Sequence, residues 1–385
     1  MIKAFKTEIK PTPEQANKIN QTVGVCRYLY NLYIQINQER YKQGLPFMSA
    51  NDFDKWINNV HSKQQGFEWI KSVSSKARKK SIVNAEIAFK RFFKKLGKFP
   101  RFKKKRNQDV NIYFPKNNNT DWTVERHRIK IPTIGWMRLK EFGYIPYGVT
   151  VKSGTVSYKA GRYYVSVIVD IKLVGIEKPC SEGIGVDLGV KDFAVVNTGI
   201  KFKNINKTSK IKKLERRLKR EQRKLSRKYY MRKQRGGTAT ALRCANIDKQ
   251  RLKVQKIHQR LTNIRTDYVN KTVNELVKTK PVYITVENLN VSGMMKNRHL
   301  SRAIAHQKFY EFNTKLKSKT QKYNIELRVV DRFYPSSKLC SCCGHIKWDL
   351  KLSDRIYICD NCGFVEDRDV NASINLRDAK QYKIS

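Results

Sequence analysis

The chain has 385 residues, with 81 Lys plus Arg against 32 Asp plus Glu, which gives a formal net charge of +49. Hydrophobic residues make up 40% of it, enough for folded cores, so the composition excludes a disordered basic tail. Such a charge calls for a polyanion, and nucleic acid is the first choice because its phosphates neutralise it. No apolar run approaches the roughly 20 residues of a membrane-spanning helix, and the N-terminus has no signal-peptide core.

The predicted elements begin with a strand over Ile2–Ile9. A helix follows, with Thr12 as its N-cap and Pro13 at its first position. The helical region continues to about Phe93, and the basic segment Lys94–Arg106 indicates a linker or loop.

Residues 110–173 alternate between apolar and polar side chains with period two. This pattern, with a turn at Ala160-Gly161, predicts antiparallel strands. If the strand Ile2–Ile9 joins them, the simplest architecture is a small β-barrel interrupted by the helical region.

From Gly183 onward, strands alternate with helices, which predicts an α/β sheet. The predicted strands are 184–190, 192–197, 282–286 and 325–330. The predicted helices lie around 211–225, 247–268, 304–323 and 369–380, with a loop near Gly236-Gly237 between the first two.

Three acids stand out in this second half. Asp187 lies within an apolar strand, Glu287 ends another, and Asp369 lies at the start of the last helix. Each alone has a structural explanation: Asp187 could cap a turn or belong to an ATPase-type phosphate strand, and Asp369 or Asp367 could be an N-cap. Together, in a chain so short of acid, they favour a shared metal site. Carboxylates are ligands that Mg²⁺ prefers, and two such ions stabilise both oxygens that exchange in phosphodiester hydrolysis.

The cysteines have the most specific spacing. Cys340-x-x-Cys343 and Cys359-x-x-Cys362 predict a four-thiolate zinc ribbon holding one structural Zn²⁺, with Cys342 as a spectator.

Basic residues fill nearly every polar position of the predicted helix around 211–225, which favours phosphate contact over a merely solvated face. They are Arg216, Arg217, Lys219, Arg220, Arg223, Lys224, Arg227 and Lys228.

With these residues assembled, the chain resembles the TnpB family of transposon-encoded RNA-guided nucleases, relatives of the type V CRISPR effectors. The motifs that carry the resemblance are GVDLGV at Asp187, VENLN at Glu287, DRFYPSSKLCSCCG from Asp331 and CDNCGFVEDRDVNAS from Cys359. The N-terminal half offers less, mainly the segment 26–31.

The resemblance implies four domains: a wedge β-barrel (1–10 and 107–180), a helical recognition lobe (11–106), an RNase H-like RuvC nuclease (181–337 and 365–385) and a zinc ribbon that binds target nucleic acid (338–364). It implies catalytic acids at Asp187, Glu287 and Asp369 holding two Mg²⁺ ions, and Zn²⁺ at the four paired cysteines. The implied partners are a guide RNA from the transposon end and double-stranded target DNA, cut beside a short adjacent motif. The implied setting is the prokaryotic cytoplasm and, on DNA, the nucleoid.

Two other functions share these features. An RNA-guided DNA-binding regulator has the charge and the ribbon but loses the acids, whereas here all three are present. A DDE-type transposase also uses three acids on such a sheet. An actin-like ATPase fits poorly, because no further Gly-rich phosphate segment follows and the charge does not suit it.

Overall fold

The computed structural model describes residues 2–105, 110–116, 121–171, 179–234, 245–351 and 353–385. The chain divides into two compact units, Met1–Leu173, called here the N-terminal unit, and Val174–Ser385, the C-terminal unit. The boundaries of the four domains implied by the resemblance stay predictions.

The N-terminal unit contains a seven-stranded antiparallel sheet of β1 (Ile2–Lys10), β2 (Val110–Pro115), β3 (Thr123–Val124), β4 (Arg128–Ile131), β5 (Gly135–Leu139), β6 (Val151–Lys159) and β7 (Arg162–Asp170). The prediction that the first strand joins this sheet is confirmed, because β1 pairs with β7 along its length and with β5 at its end. The predicted turn is also confirmed: Ala160 and Gly161 both have positive φ (51° and 82°), as a two-residue type I′ hairpin turn requires.

The predicted barrel is wrong, because the sheet is open in the part of the chain that is described. Its strand order is β2-β6-β7-β1-β5-β4-β3, and the edge strands β2 and β3 do not pair with each other. Alternation determines which face of a sheet is buried but not whether its edges meet. Here helices help to bury that face: Ile19, Val23 and Ala77 pack into the same apolar core as the strands.

The helices of this unit are α1 (Pro13–Lys42), α2 (Ala50–Asn59) and α3 (Ser75–Phe93). Thr12 caps α1 as predicted, in a capping box where its hydroxyl accepts the N–H of Gln15 and the Gln15 side chain accepts the N–H of Thr12. The three helices share a second apolar core that includes Leu29, Phe53 and Ile82.

The strands of the C-terminal unit are β8 (Ile184–Leu188), β9 (Asp192–Val196), β10 (Lys201–Lys203), β11 (Tyr283–Glu287), β12 (Glu326–Val330), β13 (Ile356–Ile358), β14 (Val365–Asp367) and β15 (Lys383–Ile384). Six of them form a sheet in the order β10-β9-β8-β11-β12-β15, in which β8, β11 and β12 are parallel. The hairpin β13–β14 stands apart and belongs to the cysteine-rich segment. The predicted α/β sheet is thus confirmed.

The helices of this unit are α4 (Ser209–Gln234), α5 (Ala245–Lys278), α6 (Val291–Met294), α7 (Ser301–Gln307), α8 (Phe309–Lys322) and α9 (Arg368–Arg377). One predicted helix, 304–323, is two helices, because Lys308 adopts a left-handed conformation (φ 59°) between α7 and α8. With that break, Ile304 of α7 and Phe309 and Phe312 of α8 all pack into the same apolar core as the sheet.

The last helix ends at Arg377, three residues before the predicted end at Lys380. The predicted loop at Gly236-Gly237 lies outside the described residues. None of the helices in the described segments is long and apolar enough to cross a membrane.

Candidate functional site

Two of the predicted acids lie side by side at the carboxyl end of the central parallel strands. Asp187 is in β8 and Glu287 is the last residue of β11, and the register pairs Val186 with Val286. Asp187 and Glu287 occupy the next position along each strand. Because partners in register point to the same side of a parallel pair, both carboxyl groups lie on one face of the sheet.

Gly185 allows α9 to pack directly on that face. A Cβ atom at Gly185 would lie 1.9 Å from the carbonyl oxygen of Ser373 and 2.4 Å from the backbone nitrogen of Arg377, both in α9. Residues 185 and 187 share a face of β8, since side chains alternate along a strand. The helix that carries the third acid therefore lies on the face that carries Asp187.

Asp369 lies in the first turn of α9 but does not cap it. The N-cap is Asp367, whose Oδ1 accepts the N–H groups of Asp369 (3.0 Å) and Val370 (3.2 Å). The other oxygen of Asp367 accepts a hydrogen bond from Nζ of Lys201 at 2.6 Å. The Asp369 carboxylate instead accepts a hydrogen bond from the guanidinium of Arg368, at 3.2 Å.

The charges of two of the acids act on the third, Asp187. Burial raises the pKa of Asp187 well above its ordinary value, and the negative charges of Glu287 and Asp369 raise it further, while Arg368 opposes the shift. Burial also raises the pKa of Glu287, and a hydrogen bond from Ser336 lowers it in part. Acids from three separate segments of the chain thus meet in one place, where their mutual repulsion favours a bound cation.

The spacing of these acids differs from that of the cysteines. Within the described residues, only Cys340, Cys343, Cys359 and Cys362 place metal-ligating atoms all within 4.8 Å of one another. The three carboxylates are more widely spaced than such a preformed cage. Oxygen ligands in an open arrangement suit a cation that keeps part of its water shell, as Mg²⁺ does.

The four cysteines form two matching turns. In each, a glycine with positive φ follows the second cysteine (Gly344, 75°; Gly363, 70°) and donates its N–H to the carbonyl of the first, at 3.0 Å. The Sγ atoms of Cys340 and Cys362 are 3.7 Å apart, and those of Cys343 and Cys359 are 3.6 Å apart. Tetrahedral zinc with Zn–S bonds of about 2.3 Å needs sulfur atoms about 3.8 Å apart, so the site fits Zn²⁺.

The thiols differ in acidity. The backbone N–H of His345 and the Asn361 side chain lower the pKa of Cys343 to about 6, which favours the thiolate that zinc binds. Burial raises the pKa of Cys340. Cys342 is exposed and stands outside the four-sulfur group, as expected of a spectator.

The helices α4 and α5 form a basic surface. All eight predicted basic residues of α4 are exposed. The acids of α4 are held by other side chains: Glu215 accepts hydrogen bonds from Arg265 (2.8 Å) and Arg302 (3.3 Å), and Glu221 accepts one from Gln250 (2.8 Å). The exposed face of α4 is therefore left almost wholly positive.

The site contains residues that sequence reasoning did not single out. Ser336 donates a hydrogen bond to Oε1 of Glu287 at 2.5 Å, and Lys201 and Arg368 add positive charge beside the acids. Ser336 lies within the PSSK segment of a quoted motif, and Arg368 precedes a predicted acid. Nothing in the sequence around Lys201 predicts its place at the site, because β10 lies near the N-cap of α9 only in the folded protein.

Three family models match the chain. One described as “Helix-turn-helix domain” matches residues 1–45, one described as “Probable transposase” matches residues 177–298, and one described as “Cas12f1-like, TNB domain” matches residues 309–376. The second match spans Asp187 and Glu287, and the third spans Asp369 and the four paired cysteines.

Among the relatives that match nearly the whole chain are two RNA-guided endonucleases named as putative. The “Putative RNA-guided DNA endonuclease InsQ” of Escherichia coli (strain K12) is 29% identical over 390 residues, which are 97% of this chain and 91% of that protein. A “Putative RNA-guided DNA endonuclease” of Streptomyces pristinaespiralis is 30% identical over 383 residues, 97% of this chain and 88% of that protein.

The fold resembles that of a Cas12f1 protein solved by cryo-EM in a complex with sgRNA and target DNA. The TM-score is 0.59 at 13% identity, over 100% of this chain and 99% of that one. In architecture the chain is thus a mixed α/β multidomain protein of the Cas12f1 type. With the full-length relatives above, the expected family is confirmed: the chain belongs to the TnpB family.

Proposed function

We propose that this protein is an RNA-guided DNA endonuclease that cleaves double-stranded DNA beside a short transposon-adjacent motif. Full-length relatives carry the name of that activity, and the solved Cas12f1 complex contains guide RNA and target DNA. The net charge of +49 suits a partner rich in phosphates. In this proposal the guide RNA derives from the transposon end, and base pairing reads the target sequence.

The observation that carries the proposal is the meeting of Asp187, Glu287 and Asp369. Burial raises the pKa of Asp187, and the charges of Glu287 and Asp369 raise it further. Clustered carboxylates destabilise the metal-free protein, and bound divalent cations would relieve their repulsion. Carboxylate oxygens are the ligands that Mg²⁺ prefers.

In this proposal the three acids hold two Mg²⁺ ions in a RuvC-like site. Bound there, the ions supply Lewis-acid stabilisation of the attacking and departing oxygens of the phosphodiester. The protein's part is to fix the carboxylates: β8 and β11 align two of them in register, and α9 adds the third. Arg368, beside Asp369, places a positive charge next to the site that favours the approach of a phosphate.

The four paired cysteines hold one Zn²⁺ with a structural role in this proposal, because four thiolates leave no open position for a substrate. The exposed basic face of α4 is the phosphate-contacting surface. The roles of residues 1–10 and 107–180 as a wedge domain, of 11–106 as a recognition lobe and of 338–364 as a target-binding ribbon are parts of the same proposal.

The test is guided cleavage of a plasmid. The protein is produced with the transposon-end RNA, the bound RNA is sequenced, and its variable 3′ end is replaced by a new guide. We expect Mg²⁺-dependent cleavage that follows the new guide and disappears in Asp187→Ala. Guided binding without cleavage by the wild type would support a regulator instead, and RNA-independent strand transfer of transposon ends would support a DDE-type transposase.

A further inference from the structure

We propose that Ser336, Asn371 and Asn375 are positioning residues that join the four-cysteine site to Glu287. By this inference, a correctly folded cysteine site is needed for the acids to hold a divalent cation firmly. The inference rests on the proposed function, in which Glu287 is a metal ligand.

Two buried asparagines of α9 form hydrogen bonds with the backbone of the segment 336–341, which leads into the cysteine site. The side-chain amide of Asn375 donates to the carbonyl oxygens of Ser336 (2.8 Å) and Leu339 (2.6 Å). The amide of Asn371 also donates to Leu339 (2.7 Å), and its oxygen accepts the N–H of Ser341 (3.0 Å). Asn371 and Asn375 are four residues apart, so both face the same side of the helix.

These contacts are shielded from water. Asn371 is 0% exposed, and Asn375 and Ser336 are each 4% exposed. A buried polar group that loses its hydrogen-bond partner cannot replace it with water, so breaking any of these hydrogen bonds is costly. Such a network therefore favours a single geometry of the segment 336–341. Ordinary packing of α9 needs only apolar side chains, whereas here amides occupy the buried positions facing 336–341.

The segment 336–341 ends at the cysteine site and begins at the acid site. Cys340 lies between Leu339 and Ser341, the two residues that Asn371 holds. At the other end, the hydroxyl of Ser336 donates to Oε1 of Glu287 at 2.5 Å. A continuous series of contacts therefore runs from a zinc ligand through α9 to a carboxylate of the acid cluster.

Partners that orient a metal ligand typically change metal affinity 10- to 100-fold when they are removed. Ser336 is such a partner for Glu287, because its hydrogen bond fixes one carboxylate oxygen. The asparagines are partners of Ser336, because they fix the backbone that carries its hydroxyl. Loss of zinc would release Leu339 and Ser341 and, through them, Ser336.

The first test measures Mn²⁺ binding to the full-length, zinc-loaded protein by calorimetry, without nucleic acid. We expect Ser336→Ala to weaken Mn²⁺ binding about tenfold, and Ser336→Thr, which keeps the hydroxyl, to restore it. Ser337→Ala is the matched control, since in the described residues the hydroxyl that donates to Glu287 is that of Ser336, not that of Ser337. Unchanged affinity in Ser336→Ala, with zinc content and circular dichroism as in the wild type, would overturn the inference.

The second test is a double-mutant cycle between the cysteine site and Ser336. Cys343→Ser should lose zinc and weaken Mn²⁺ binding by about the same factor as Ser336→Ala, and the double variant should be no weaker than either single variant. Full Mn²⁺ affinity in Cys343→Ser, or independent losses that multiply, would show that the two sites are not coupled.

Glu287→Gln separates this inference from the proposed function. If Glu287→Gln does not weaken Mn²⁺ binding, the proposed metal site itself fails. If Glu287→Gln weakens it strongly while Ser336→Ala does not, the metal site stands and only the positioning role is refuted.

Discussion

A methyl group added at Gly185 should separate the acids without altering any of them. In Gly185→Ala the new Cβ would begin 1.9 Å from the carbonyl oxygen of Ser373 and 2.4 Å from the nitrogen of Arg377. Both atoms belong to the backbone of α9, so no flexible side chain can rotate away. To reach ordinary contact at 3.4 Å, α9 must move away from β8 by about 1.5 Å.

The consequence for the proposed cleavage follows from the position of Asp369 on the displaced helix. A misplacement of about 1 Å in a catalytic group can cost about 100-fold in rate, so we expect cleavage by Gly185→Ala to fall at least about 100-fold. Overpacking of a core typically costs about 1–3 kcal/mol. The variant should therefore remain folded, with a lower melting temperature.

The assay compares single-turnover DNA cleavage with guide RNA binding by the same preparation. Guide binding should survive, because the exposed basic face of α4 is unchanged. Gly24→Ala is the matched control: it lies in α1, and a Cβ there meets nothing within 4 Å. That variant should cleave normally and gain up to about 1 kcal/mol of stability. Wild-type cleavage by Gly185→Ala would refute the claim that close packing of α9 sets the site.

Three further outcomes are expected. Asp187→Asn should abolish cleavage but raise the melting temperature of the metal-free protein, with a gain in stability of about 0.5–2 kcal/mol. Burial and the neighbouring acids raise the pKa of Asp187, so its ionised form destabilises the fold as pH rises. The stability gain should therefore shrink at low pH in thermal scans. Asp367→Ala should lower the stability of the fold by about 1 kcal/mol, because it removes the N-cap of α9. Asp367→Asn keeps the capping oxygen and should lose little stability in the same scans. Equal losses of stability in the two variants would contradict the capping role. Guide RNA affinity should fall steeply between low and physiological salt in a filter-binding titration, and a flat response would refute phosphate contact by the basic face.

The two strand acids and the four paired cysteines, which the sequence predicted, share one property: each interrupts its local pattern. Asp187 and Glu287 are charges at the ends of apolar strands, and the cysteines recur at a spacing that chelation explains. Such interruptions are visible in a linear sequence because the surrounding residues already set an expectation. The same holds for Thr12 and the turn at Ala160-Gly161, which have local chemical signatures.

The features that the sequence did not predict depend on contacts between distant segments. Ser336 and Asn375 are ordinary polar residues until folding places them against Glu287 and the entry to the cysteine site. The open sheet is a similar case, because strand alternation is the same in open and closed sheets. The break at Lys308 is another such case, because no Gly or Pro marks it in the sequence.

The order of the acids along the chain has a consequence for how the site forms. Asp187 and Glu287 are brought together by strand pairing within the sheet, but Asp369 follows the whole cysteine-rich segment and reaches the site only when α9 packs on Gly185. Because the charge of Asp369 adds to the shift in the pKa of Asp187, the approach of Asp369 is opposed by electrostatics. That approach depends on packing, with Leu376 fully buried, and on the hydrogen bonds of Asn371. The close packing on Gly185 and the buried amides of Asn371 and Asn375 thus both lie in α9, where they offset the repulsion between Asp369 and Asp187. Weakening α9 should remove the proposed metal binding before it unfolds the sheet.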